Sequence, residues 1–185
     1  MKRTVVLLCF IFFQLAYSQE KATVDFKQNE FKGNALFLII GQPEITYERI
    51  LEKESGIGVS VNFAIDKAFE TKFSLTPFYR FYFGKKPAAG LFVEGFAMLN
   101  SLKIEDETAV YYNYSTGATT YMFYKGDSYI DFALGFGVGA KWISKRGVIL
   151  EVNGGIGRNL LNSEKNDYFG HTFVGRGGLT VGYRF

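Results

Sequence analysis

His171 is the only histidine in the chain, and histidine is the side chain whose ordinary pKa suits general-base work near neutral pH. Asp127 and Ser128 stand earlier in the sequence. The three types could form an acid–base–nucleophile set in which the imidazole takes the serine proton during acyl transfer. The local sequence does not support that chemistry: His171 is followed by Thr172 and Phe173 rather than by a His-x-Ser pattern. No catalytic residue is therefore expected, and an enzyme using His171 is the alternative reading. Cys9 is the only cysteine and lies inside an apolar run, behind Leu7 and Leu8 rather than behind small residues as a lipidated cysteine would. No cluster of ligand types suggests a metal, and no cofactor is implied. Gly135-Phe-Gly-Val-Gly is no phosphate loop, because a long alternating stretch surrounds it and no helix follows.

A second chemical feature is aromatic. Tyr111, Tyr112, Tyr114, Tyr121 and Tyr124, with Tyr129 just beyond, crowd one short stretch. Such a stretch could bind a partner through a protruding strand edge, or it could be an aromatic girdle with ordinary hairpin packing.

The elements that position these residues begin after an export segment. Lys2 and Arg3 precede the nine apolar residues Val5 to Phe13, and Ala16-Tyr17-Ser18 offers small residues before a cut at Gln19. That is the layout of a signal peptide over residues 1–18, and the apolar run is too short for a spanning helix. Of the 185 residues, 167 would remain; without Lys2 and Arg3 the formal charge falls from +3 to +1. No basic footprint for nucleic acid is present. The chain holds 20 Phe, 12 Tyr and 21 Gly but only 3 Pro, a composition that suits strands crossing a membrane.

Ile130 to Trp142 alternates strictly. Ile130, Phe132, Leu134, Phe136, Val138, Ala140 and Trp142 share one face; Asp131, Ala133, Gly135, Gly137, Gly139 and Lys141 share the other. Residues 57–65 repeat the pattern, and segments near 32–41, 43–51, 72–83, 90–100, 147–157 and 172–185 follow it less cleanly. The spacing predicts an all-β fold: a closed antiparallel up-and-down barrel of eight strands, over 32–185, after a short periplasmic segment at 19–31. Residues 109–114 and 118–124 read as a hairpin within the long external loop 101–128; as wall strands they would make ten. The long connections 101–128 and 158–171 then fall on one face and the short turns at 52–55, 84–90 and 144–147 on the other, as in outer-membrane barrels.

One strand face is bulky and nearly free of charge, as lipid requires. Arg49 is the exception, beside a turn where it can snorkel. The other face is small and polar and carries Glu48, Arg80, Glu94, Asp131, Lys141, Glu151, Arg176 and Arg184. Four acids and four bases turned into a narrow lumen are expected to pair, leaving no open pore in a barrel that its own side chains fill.

With these motifs in place the chain resembles a known group. Ile45-Thr-Tyr-Glu-Arg, Thr76-Pro-Phe-Tyr-Arg-Phe-Tyr-Phe, Gly135-Phe-Gly-Val-Gly-Ala-Lys, Leu150-Glu-Val-Asn-Gly-Gly-Ile-Gly and the ending Val181-Gly-Tyr-Arg-Phe are similar to the small outer-membrane β-barrels of Bacteroidota. Within these they resemble a domain-of-unknown-function family of the OmpA/OmpX-like set. The resemblance implies fold and outer-membrane location but no activity. It also implies that Tyr183 and the terminal Phe185 serve as the signal read by the barrel-assembly machinery. The expected partners are outer-membrane lipid, lipopolysaccharide and that machinery, with an unidentified extracellular ligand for the hairpin; a monomer is expected. Two alternatives stay open: a lipid A-modifying enzyme using His171, and a soluble periplasmic lipocalin-like carrier.

Overall fold

The computed structural model describes residues 26–65, 69–103, 107–114, 117–124, 128–161 and 172–185. Among these residues ten strands and one short helix follow each other. They are β1 (Asn29–Asn34), α1 (Ala35–Ile39), β2 (Glu44–Glu52), β3 (Ser55–Phe63), β4 (Thr71–Tyr82), β5 (Gly90–Lys103), β6 (Glu107–Asn113), β7 (Ala118–Tyr124), β8 (Ser128–Ile143), β9 (Val148–Asn159) and β10 (Phe173–Arg184). Eight of them close a barrel in the order β1-β10-β9-β8-β5-β4-β3-β2. Every pairing is antiparallel, and the seam is β1 against β10, with Glu30 opposite Arg184 and Asn34 opposite Thr180. β6 and β7 pair only with each other, as a separate two-stranded sheet. The barrel thus has eight strands, and the ten-strand alternative is excluded: β5 and β8 already ladder directly from Gly90/Lys141 to Lys103/Ser128, so no edge is left for the hairpin to enter.

The wall departs from the sequence reading at its first strand. The segment 32–41 is not one strand: β1 starts at Asn29 and stops at Asn34, where the chain turns into α1. Asn34 caps that helix, its side chain accepting from the Phe37 N–H at 3.2 Å. Its amide also donates to the Gly177 carbonyl at 3.0 Å. Gly178, at φ +151°, makes room for it, because a Cβ there would strike the Asn34 side chain. Residues 35–40 are apolar without alternation, so nothing in their pattern holds them to a two-residue period.

Alternation sorts the wall. Phe31, Ile57, Phe73, Leu91, Phe136, Val138 and Val152 point out and are exposed. The charged outward side chains Arg49, Lys103 and Arg158 stand near strand ends. Arg49 is held at the turn end by Asn29 Oδ1 at 2.8 Å and Gln28 Oε1 at 2.9 Å. Inside, β4 and β5 stack as rungs: Tyr82 opposite Phe92, Arg80 opposite Glu94, Phe78 opposite Phe96 and Ser74 opposite Asn100. The glycines of β8 face these rings. A Cβ at Gly139 would collide with the Phe92 ring, and one at Gly135 with Phe96. The Gly-x-Gly-x-Gly run is therefore a floor for two aromatic side chains. At the turn end the β4–β5 connection folds under the lumen, with Ala88 fully buried. Arg184 fastens it by donating to the carbonyls of Pro87 at 2.7 Å and Ala88 at 2.8 Å.

Candidate functional site

The buried charges gather in the lumen, and the strand register decides which meet. All eight charges assigned to it from the sequence are buried: Glu48, Arg80, Glu94, Asp131, Lys141, Glu151, Arg176 and Arg184. Glu30 and Lys32 join them, also buried. Among the described residues the buried set is thus five acids and five bases, with Glu44 lining the loop end of the lumen as a further acid. Glu30 was lost to the late start given to β1, which left it in the supposed periplasmic segment; Lys32 opened the segment 32–41, whose apolar run hid its face. The alternation of Glu30, Lys32 and Asn34 against Phe31 and Gly33 was the signal that could have found them.

Glu48 sits at the centre. Its Oε2 accepts from Lys32 Nζ at 2.5 Å, Arg80 Nη1 at 3.1 Å and Lys141 Nζ at 3.1 Å, while its Oε1 accepts from the Tyr82 hydroxyl. Lys141 Nζ also bonds that hydroxyl. Glu151 Oε2 takes Lys32 at 3.0 Å and Arg80 at 2.9 Å. Glu30 links Lys141 at 2.8 Å and Arg184 at 2.6 Å. Glu94 pairs with Arg80 at 2.8 Å and Arg176 at 3.2 Å. The Arg80 guanidinium lies over two rings as well, 4.4 Å from the Phe78 centroid and 4.3 Å from Phe92. Multiple partners and flanking aromatic faces are what make such deep charges tolerable, since each ion loses several kcal/mol of hydration, roughly, on burial.

Asp131 stands apart from this lattice. Its Oδ1 accepts from the backbone N–H of Phe132 at 2.7 Å and Leu161 at 3.0 Å; Oδ2 has no hydrogen-bond partner among the described residues. It anchors the loop end of β8 rather than joining the ion pairs.

Above the Phe78/Phe96 rung the lumen opens into a cup of about 170 Å³ at the loop end. Arg176 forms part of its base, stacked over Phe78 at 4.8 Å and Phe96 at 5.7 Å. Glu44, Asn62, Asn100, Met98 and Leu102 line it. Sequence reasoning passed over this cup because α1, which brings Phe37 to its wall, was read as strand.

The tyrosine-rich stretch forms the β6–β7 hairpin. Tyr111, Tyr112, Tyr114 and Tyr121 are all exposed, and Tyr112 and Tyr114 meet edge to face at 5.0 Å. Tyr124 ends β7. Val110 and Tyr121 are register partners, as are Tyr112 and Thr119 and Thr108 and Phe123. Val110, Tyr112, Tyr121 and Phe123 therefore share one face. Tyr183 and Phe185 project outward at the end of β10. Of the acid–base set, His171 and Asp127 lie outside the described residues, and Ser128 is the first residue of β8. No group of three or more His, Cys, Asp or Glu among the described residues is placed to hold a metal. Compared with known protein families, curated proteins and solved structures, the chain matches none.

Proposed function

We propose that this chain is a non-enzymatic outer-membrane β-barrel of a Gram-negative cell, exported by residues 1–18. Its wall crosses the lipid and its external hairpin is its binding surface. One observation carries the reading: the barrel is inverted relative to a soluble one, with ten charged side chains buried inside and an apolar outer wall. Leu91, Val93, Leu134, Phe136, Val138, Trp142, Val152, Leu179 and Val181 all face outward and exposed, a far larger apolar surface than a soluble monomer leaves uncovered. A lipocalin-like carrier would need the reverse, a charged exterior around an apolar cavity. The strands of the long side, at 12 to 16 residues, exceed the 9–11 or so that a spanning strand needs.

The lattice around Glu48 fills the middle of the lumen and the β4–β5 connection closes its turn end, which supports a barrel without a pore. Function then belongs to what the wall holds up. The hairpin presents Val110, Tyr112, Tyr121 and Phe123 on one face and, among the described residues, ladders with no other strand; an extended segment of an extracellular partner could add to it as a further strand. Tyr183 and Phe185 end the strand that closes the seam, a fitting position for recognition by the assembly machinery.

Membrane fractionation with heat-modifiable gel mobility tests the reading. The protein should follow the outer membrane, need detergent for extraction, and migrate faster unboiled than boiled. A chain that stays monodisperse without detergent would overturn it.

A further inference from the structure

We propose that the cup at the loop end of the lumen binds a small zwitterion, an α-amino acid with an apolar side chain, through Arg176 and Glu44. This goes beyond the membrane reading and does not rest on it, because the cup belongs to the lumen whatever surrounds the wall.

The first observation is Arg176 itself. It is only 7% exposed, yet its fork is not fully used. Nη2 donates to Ser60 Oγ at 2.9 Å. Nε lies 3.2 Å from Glu94 Oε1, within ion-pair distance but not aligned as a hydrogen bond, and Nη1 has no partner among the described residues. A buried guanidinium with open N–H groups is set for a planar, two-oxygen acceptor such as a carboxylate.

The second observation is the charge of the wall. Glu44 lines the same cup as Arg176. An anion alone would meet the Glu44 carboxylate; a cation alone would meet Arg176. A ligand carrying both charges satisfies both side chains. Asn100 Oδ1, buried on the wall and also without a hydrogen-bond partner, offers a further acceptor for an ammonium.

The third is shape. Phe78 and Phe96 lie beneath Arg176 and the ion lattice lies below them, so the cup is a dead end rather than a passage. Met98, Leu102, Val174 and Phe37 supply an apolar side. Its volume corresponds to about five or six waters at ~30 Å³ each, below the ~300 Å³ where drug-sized pockets begin, and it suits a single small amino acid.

The test uses the refolded mature chain and three probes: L-leucine, 4-methylpentanoate, which lacks the ammonium, and isopentylamine, which lacks the carboxylate. Titration followed by amide chemical shifts should show saturable leucine binding. Each half-ligand should bind roughly ten- to a hundredfold more weakly, as expected for losing a charged hydrogen-bond partner. Glu44→Gln should erase the preference for leucine over 4-methylpentanoate. Because Arg176 also holds Ser60 and Glu94, a cup-filling variant, Ser74→Leu, provides the second check: it should abolish binding while the barrel keeps its heat-modifiable mobility. The proposal is overturned by no saturable response, meaning that the cup holds water only. Equal binding of the three probes, or leucine binding unchanged in Ser74→Leu, would overturn it as well.

Discussion

Arg80 and Glu94 face each other as direct register partners on β4 and β5, joined at 2.8 Å between Nε and Oε2 with both side chains 1% exposed. The pair ties one hairpin rung into the Glu48 and Glu151 carboxylates across the lumen, because Arg80 Nη1 reaches both. Replacing Arg80 with leucine leaves three buried acids short of a cation. A loss of about 3–5 kcal/mol is expected, read as a lower urea midpoint for the refolded barrel. The double variant Arg80→Leu/Glu94→Leu should recover part of it, since in the single variant Glu94 keeps only Arg176, at 3.2 Å and not aligned as a hydrogen bond. A double variant no more stable than Arg80→Leu would show that Glu94 is not the charge that Arg80 neutralises.

Gly139 sets a steric limit. Its position lets the Phe92 ring lie against β8, so Gly139→Val should overpack the lumen and cost roughly 1–3 kcal/mol. Gly154 faces outward with open space around it, and Gly154→Val should fold like the parent. Similar refolding yields for the two variants would contradict this packing.

The hairpin is separable from the wall. β6 and β7 share no ladder with β5 or β8, so replacing residues 107–124 with a short Gly/Ser linker should change barrel stability by no more than ~0.5 kcal/mol. Binding of any surface partner should be lost with it. Failure of the linker variant to show the folded, heat-modifiable band would mean that the hairpin supports the wall after all.

Trp142 reports the surroundings of the wall. It is the only tryptophan, 56% exposed, and it projects outward near the turn end beside Lys85 and Lys86. In bilayers its emission should be blue-shifted and strongly quenched by lipids brominated near the headgroup, with weaker quenching from labels deep in the chains, as for an interfacial aromatic. Emission identical to that of the unfolded chain in vesicles would count against the lipid-facing wall.

Much of this protein was legible in its sequence because a strand's two-residue period is local. Ile130 to Trp142 shows on its own which side chains are bulky and which are small, and each of the eight lumen charges could be assigned to a face from its immediate neighbours. Tertiary structure decided whatever depends on closure. Asn34 ends β1 and starts α1 because its side chain meets β10, 143 residues away. At the other end, β1 begins early enough for Glu30 to sit opposite Arg184 and Glu48, and that register turns Glu30 and Lys32 inside. Whether the tyrosine-rich hairpin joins the wall was settled by β5 pairing with β8, and no residue within the hairpin encodes that choice. Lys32 finds Glu151 at a separation of 119 residues only once the seam fixes the stagger of the strands. A local pattern can say that a charge points inward; which partner waits for it there is set by the shear of the closed barrel.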